Sequence, residues 1–183
     1  MGRKYKIHDQ QAVYFVTFTV VNWIDVFTRN EYRMIIVDSI KFCQEKKGLE
    51  VYAWCIMTNH VHLIIGTNGT NKLEDIIRDI KRHTSKHLRI EIERNPVESR
   101  KEWMLWMFER AGKYNSNNND WQLWQQHNHP IELSDPEKAE QRLNYLHDNP
   151  VSAGFVPEAL FWQWSSAYDY SGGKGLIDVI FIE

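Results

Sequence analysis

Residues 49–66 read LEVYAWCIMTNHVHLIIG, and the order of elements in the chain turns on them. LEVYAWCIM (49–57) is a run of aliphatic, β-branched and aromatic residues of strand length. TN (58–59) is a tight connection, and HVHLIIG (60–66) is a second apolar run. The spacing predicts a hairpin. Upstream, AVYFVTFTVV (12–21) predicts a long, largely buried strand. Between them, EYRMIIVDSIKFCQEKKG (31–48) places Ile36, Ile40 and Cys43 on one face, Lys46 and Lys47 in a last turn, and Gly48 at the stop, which predicts a helix. Downstream, NKLEDIIRDIKRHTSKHLRIEIE (71–93) puts Leu73, Ile76, Ile77, Ile80 and Leu88 on one side and most of its basic residues on the other, an amphipathic helix.

The order is therefore β-α-β-β-α. One more strand completes the split βαβ arrangement of an α+β, ferredoxin-like antiparallel sheet with helices on one side. WQLWQQ (121–126) is the expected fourth strand, after an extra helix in ESRKEWMLWMFERAGKY (98–114) and a polar loop, NSNNND (115–120). SDPEKAEQRLNYLHDNP (134–150) predicts another helix. Ser134 and Glu137 form a capping box, Pro136 suits the first turn, and Pro150 is expected to end the helix near Asn149. FWQWSSAYDYSGGKG (161–175) mixes packed aromatics with a glycine-rich turn, and LIDVIFIE (176–183) reads as a short strand or docking arm. Most of the tryptophans, Trp103, Trp106, Trp121, Trp124, Trp162 and Trp164, are expected in the core.

The 183 residues are expected to form a single domain, with a core over roughly 10–170 and an arm at 171–183. A chain of this length buries about 70% of its unfolded surface. No apolar run approaches the ~18–20 residues that cross a bilayer, and MGRKYKIHDQQ has no apolar segment behind its basic residues, so neither a membrane span nor a signal peptide is expected. Cys43 and Cys55 form no CxxC pair and read as reduced, packed thiols of a cytoplasmic protein. A net charge of −2 excludes a globally basic nucleic-acid binder. Charge is nevertheless local: in RDIKRHTSKHLR (78–89), Arg78, Lys81, Arg82, Lys86 and Arg89 face only one acid, Asp79.

On a strand, side chains alternate faces, so His60 and His62 point the same way and Val61 the other. Their Cβ atoms stand roughly 6–7 Å apart, and two imidazoles at that spacing can converge on one divalent cation, each about 2.0–2.2 Å from it. The same spacing fits two surface histidines, or a core histidine beside an exposed one. The 134–150 helix offers further groups. Tyr145 and Asn149, at i and i+4, share a face, while His147 faces elsewhere. An amide oxygen is an acceptable ligand for Mg²⁺ or Mn²⁺, and a tyrosine one turn away is placed to attack a phosphate. The plainer alternatives are a half-buried helix tyrosine and a C-terminal cap before Pro150.

MTNHVHLII (57–65), a basic helix, LWQQHNHP (123–130), LNYLHDNPVSAGFV (143–156) and FWQWSSAYDY (161–170) follow one another in an order that resembles the single-tyrosine HUH transposases, above all their REP-associated tyrosine transposase branch. The resemblance spans roughly 10–171. It implies that His60, His62 and Asn149 hold Mg²⁺ or Mn²⁺, and that Tyr145 is the nucleophile of a strand transferase. The implied substrate is single-stranded DNA bearing a hairpin, cut through a 5′-phosphotyrosine intermediate. It implies a nucleoid-associated protein working as monomer or homodimer, with Arg78, Lys81, Arg82, Lys86 and Arg89 on the DNA phosphates. Arg3, Lys4 and Lys6 are further candidates for phosphate contact. Thr58 and Ser152 depart from the family pattern, where proline and arginine are common. Two other readings remain open: a non-catalytic hairpin-DNA binder, and a metal-dependent phosphodiesterase using water. The HNH string at 127–129 is no nuclease signature, since the residues that name that class are dispersed over a ββα unit, although His129 is a candidate neighbour of the site. The histidine-triad hydrolases need a third alternating histidine, and position 64 is isoleucine.

Overall fold

Gly48, at φ 72°, caps α1 (Asn30–Lys47) in the left-handed conformation that a glycine adopts without strain. The turn delivers the chain directly into β2 (Leu49–Ile56), which pairs with β3 (His60–Thr67). This computed structural model describes residues 7–115 and 120–182; Arg3, Lys4 and Lys6 lie outside them. β1 (Tyr14–Thr19) pairs antiparallel with β3, Thr19 opposite His60 and Thr17 opposite His62. The remaining elements are α2 (Leu73–Arg94), α3 (Lys101–Lys113), β4 (Ile131–Glu132), α4 (Pro136–Ser152) and a short α5 (Ala167–Tyr170). The sheet order is β2-β3-β1-β4, antiparallel throughout, which is the expected split βαβ sheet.

The fourth strand is not WQLWQQ. β4 is Ile131–Glu132, opposite Phe15 and Tyr14. Residues 121–126 instead run past the far end of β1, where Val21 N–H donates to Leu123 O at 2.8 Å and Gln125 N–H to Thr19 O at 2.8 Å. The edge of β1 is thus satisfied in separate stretches, because the chain between them breaks at His129 (φ 42°) and Pro130, which has no N–H to give.

The alternating side chains of the sheet divide into two layers. Val16, Phe18, Val51, Trp54, Val61, Leu63 and Ile65 pack against Ile36 and Ile40 of α1 and Ile76, Ile80 and Leu88 of α2. On the opposite face, Phe15, Ala53, Cys55 and Ile64 pack against Leu143 and Leu146 of α4. α1 and α2 are the helices on one side of the sheet, as expected, and α4, one of the extra helices, covers the other. The outer edge of β2 is closed by the chain after α4, with Ile56 N–H donating to Trp164 O and Ser166 N–H to Trp54 O. The C-terminal arm docks rather than forming a strand: Ile177 is buried and Ile180 N–H donates to Val51 O.

α3 buries Met104, Phe108 and Gly112, at i, i+4 and i+8. A Cβ on Gly112 would sit 2.2 Å from the Trp121 nitrogen, so only glycine allows this approach. That helix phase turns Trp103 and Trp106 outward, 48% and 52% exposed, against the expectation of core residues. Trp124 and Trp164 are buried as expected. Both cysteines are free and buried.

Candidate functional site

α4 begins one residue later than the capping box predicted. Pro136 occupies the first turn, so the cap is Asp135, whose Oδ1 accepts from Lys138 N–H at 2.8 Å. The helix also ends later than Pro150 predicted, at Ser152. Pro150 cannot donate to the carbonyl four residues back. The last turn persists because Leu146 and Pro150, one turn apart, are both buried, Leu146 against the sheet. Asn149 accordingly stays on the helical face of Tyr145.

That face lies over the start of β3. The His60 and His62 rings are 4.6 Å apart, centroid to centroid. The Tyr145 ring stands 5.3 Å from His62 and 6.1 Å from Phe15, edge-on to both. Asn149 Nδ2 is 3.2 Å from His62 Nε2. The structure thus brings His60, His62, Tyr145 and Asn149 together within one chain. Tyr145 is 47% exposed, so the side chain is reachable from solvent.

The hydrogen bonds behind these residues orient the imidazoles. Asn59 donates from Nδ2 to Asp25 Oδ1 at 3.1 Å, and a carboxylate can only accept, so Asn59 Oδ1 is the atom 2.6 Å from His60 Nδ1. His60 Nδ1 therefore carries the proton, and Nε2 keeps its lone pair. His62 Nε2 accepts from Asn149, which leaves His62 Nδ1 to donate to Thr17 Oγ1 at 2.8 Å. Each histidine has its second nitrogen held by a neighbour, the arrangement that orients metal-ligating imidazoles. Burial lowers the pKa of both, and His62 falls to about 3 under desolvation and the neighbouring His60 and Arg142. Both are neutral at pH 7, as ligands must be.

These residues fit a divalent cation. Two neutral Nε2 lone pairs meet an amide that presents its oxygen by turning about its last side-chain bond. Among the described residues there is no cluster of three histidine, cysteine or carboxylate side chains; beside the histidine pair stands the amide of Asn149.

Sequence reading missed three participants. Arg142 stands one turn before Tyr145, its guanidinium 5.3 Å over the Phe15 ring, and its charge reaches His62. Its i−3 spacing from Tyr145 was a usable signal. Thr17 and Asn59 carried none, because their roles depend on strand register and on the loop after β1.

The basic helix is a different region. α2 packs on the other layer of the sheet, and its cationic side faces a groove of about 490 Å³ between α2 and residues 121–126, lined by Arg82, Lys86 and Arg89. Lys81 is taken up by the fold: its ammonium donates to Gln125 O at 2.7 Å and Asn128 Oδ1 at 2.6 Å, and burial lowers its pKa to about 8. Arg78 pairs with Asp75, outside the groove, and Arg82 with Asp79. Arg89 lies between Glu93, Glu109 and the face of Trp121. His129 follows Asn128, whose carbonyl accepts from Thr17 N–H at 3.4 Å at the edge of β1. It also lines a groove with Glu74 and Ile77 of α2.

The family model of the IS200-like transposases matches residues 10–129, and the chain belongs to that family: a transposase by class, a DNA-cleaving enzyme. The matched span includes His60 and His62 and stops short of α4. Among solved structures, a REP-associated tyrosine transposase bound to a REP hairpin shares the fold, with a TM-score of 0.65 at 17% identity over 100% of this chain and 96% of the other. A second structure, provisionally described as a transposase of Deinococcus radiodurans R1, aligns over 78% of this chain and 92% of its own, at 17% identity and a TM-score of 0.45. No curated protein matches the chain.

Proposed function

We propose that the protein is a metal-dependent endonuclease and strand transferase that cuts single-stranded DNA next to a hairpin through a 5′-phosphotyrosine intermediate. The observation that carries this reading is the approach of Tyr145 to His62, with Asn149 bonded to the same imidazole, on a helix packed directly over the strand. The hairpin substrate is supported by the likeness to a transposase solved on a REP hairpin.

His60, His62 and Asn149 would hold Mg²⁺ or Mn²⁺. Once bound, such an ion polarises a phosphoryl oxygen and steadies developing charge. The remaining work belongs to the chain. The Tyr145 oxygen attacks the scissile phosphorus, the phosphorus–O3′ bond breaks, the phenolic proton passes to solvent and the leaving 3′-oxygen is protonated. The phosphodiester energy is retained in the tyrosyl bond, so a second 3′-hydroxyl reverses the step and joins a new strand. Arg142, beside the tyrosine, is placed to counter the phosphate charge. Lys86, Arg82 and Arg89 supply contacts to the DNA backbone, and such binding weakens steeply with salt. One chain carries the whole catalytic set, so a monomer suffices for one cut.

The test is incubation with hairpin-bearing single strands and Mn²⁺, followed by a denaturing gel. A nicked strand and a protein-bound strand are expected. Tight binding without any nick identifies a non-catalytic hairpin binder. Unimpaired turnover by Tyr145→Phe identifies water as the nucleophile.

A further inference from the structure

Just beyond β1, Asn22 (φ 56°) and Trp23 (φ 54°) both adopt the left-handed conformation. Neither is glycine, and for a side chain as bulky as tryptophan this backbone is a genuine outlier. Strain of this kind persists where the surroundings hold it, and it concentrates at ligand sites. The holding groups are visible. Val20 N–H donates to Asn59 O at 2.9 Å, and Asn59 Nδ2 reaches both Trp23 O and Asp25 Oδ1. Asn59 is also the residue that orients His60, so the loop and the histidine pair are tied to one side chain.

The strained backbone does not bury Trp23. The residue is 60% exposed, its indole edge-on to His60 at 6.0 Å. A fold has no need to strain a backbone in order to display an indole to water, whereas a ligand with a flat, apolar face uses one.

We infer that Trp23 is a stacking platform for a nucleobase, and that the base is the one on the 5′ side of the cut. The inference rests on the tyrosine reading above and deepens it. Ring contacts run Trp23 to His60, His60 to His62, His62 to Tyr145. Strand register gives the same order, since His60 lies opposite Thr19 at the Trp23 end of β1, and Phe15, which touches Tyr145, lies opposite Ile64. Tyr145 and Trp23 therefore flank the histidine pair from opposite ends. In-line displacement places the leaving 3′-oxygen on the side of the phosphorus away from the attacking oxygen. The nucleoside that keeps that 3′-oxygen accordingly departs towards Trp23, whose exposed indole receives its base. Stacking tolerates any base, because each has a π-face, so Trp23 positions the leaving strand without specifying its sequence.

The experiment uses a strand selected for cleavage by the full-length protein from hairpin DNA with randomised flanks, its cut site mapped. Trp23→Ala is expected to lower kcat/KM by about 5- to 100-fold on this strand, the range of one base–aromatic stack. Trp23→Phe should recover most of the loss. On the same strand made abasic at the nucleotide 5′ of the cut, wild type and Trp23→Ala should cleave alike. Equal loss on both strands, no loss on either, or coupling to the nucleotide 3′ of the cut overturns the inference. Failure of the tyrosine reading shows separately, as wild-type protein that nicks no strand in the pool, and removes this inference with it.

Discussion

The two faces of the sheet are built on different rules. Towards α1 and α2 the strands present mainly apolar side chains, Val16, Phe18, Val61, Leu63 and Ile65 among them, whose contacts are packing. Towards α4 the same strands present Thr17, His60 and His62 beside Phe15 and Ile64, and the helix above answers with Arg142, Tyr145 and Asn149. One residue of register separates the faces, since Val61 and His62 are neighbours in sequence. The first face makes the sheet stable. The second uses that stability to hold two neutral imidazoles, an amide and a tyrosine at fixed separations, which no loop would do as closely.

Substitutions should separate these roles, and the largest effect should come from the histidine pair. His62→Ala is expected to remove nicking by more than about 10³-fold, as loss of a metal ligand does, while circular dichroism and Mn²⁺-independent hairpin binding persist. Nicking that survives His62→Ala would break the contrast. Leu63→Ala, one residue away on the other face, should do the reverse. It should cost about 2–5 kcal/mol of stability in denaturant titration and leave the rate per folded molecule unchanged. Thr17→Val keeps the shape and removes the partner of His62 Nδ1; Mn²⁺ affinity should fall about 10- to 100-fold, read by calorimetry. A separate effect is on acid stability. Burial lowers the pKa of His62 to about 3 and of His147 to about 4. Above the ordinary histidine pKa of about 6.5, folded and unfolded forms are both neutral and nothing is gained or lost. Below it the unfolded chain binds protons that the folded chain refuses, so Tm should fall as pH drops from about 6.5 towards 4. His147, bonded to Ser166 Oγ away from the site, tests this without touching the chemistry: His147→Gln should flatten that slope.

The apolar face was legible in the sequence and the specific one only in part. Apolar periodicity located α1, β2, β3 and α2 within a few residues, because burial on that face obeys spacing alone. Strand alternation also put His60 and His62 on one face, and helical spacing joined Tyr145 to Asn149. The errors fall where packing overrode a local rule. Pro150 ends an isolated helix, but here its burial with Leu146 carries the last turn onward and keeps Asn149 over the sheet. WQLWQQ has the composition of a strand, yet β1 gives most of its edge to other residues, and the paired Ile131 and Glu132 are too few to show a period. The cationic stripe of α2 was legible, while the capture of Lys81 by Gln125 and Asn128 depends on a segment 44 residues away. Thr17 and Asn59 act through register and a strained loop, neither of which leaves a pattern in the chain.

The central claim is that Tyr145, held over His62, becomes covalently joined to DNA. Peptide mapping of protein trapped with a cleaved hairpin strand in Mn²⁺ tests it directly. The expected products are a nucleotide linked through its 5′-phosphate to the Tyr145 peptide and a free 3′-hydroxyl on the released strand, with neither formed by Tyr145→Phe. A free 5′-phosphate with no attached protein, or a linkage at another residue, would contradict it.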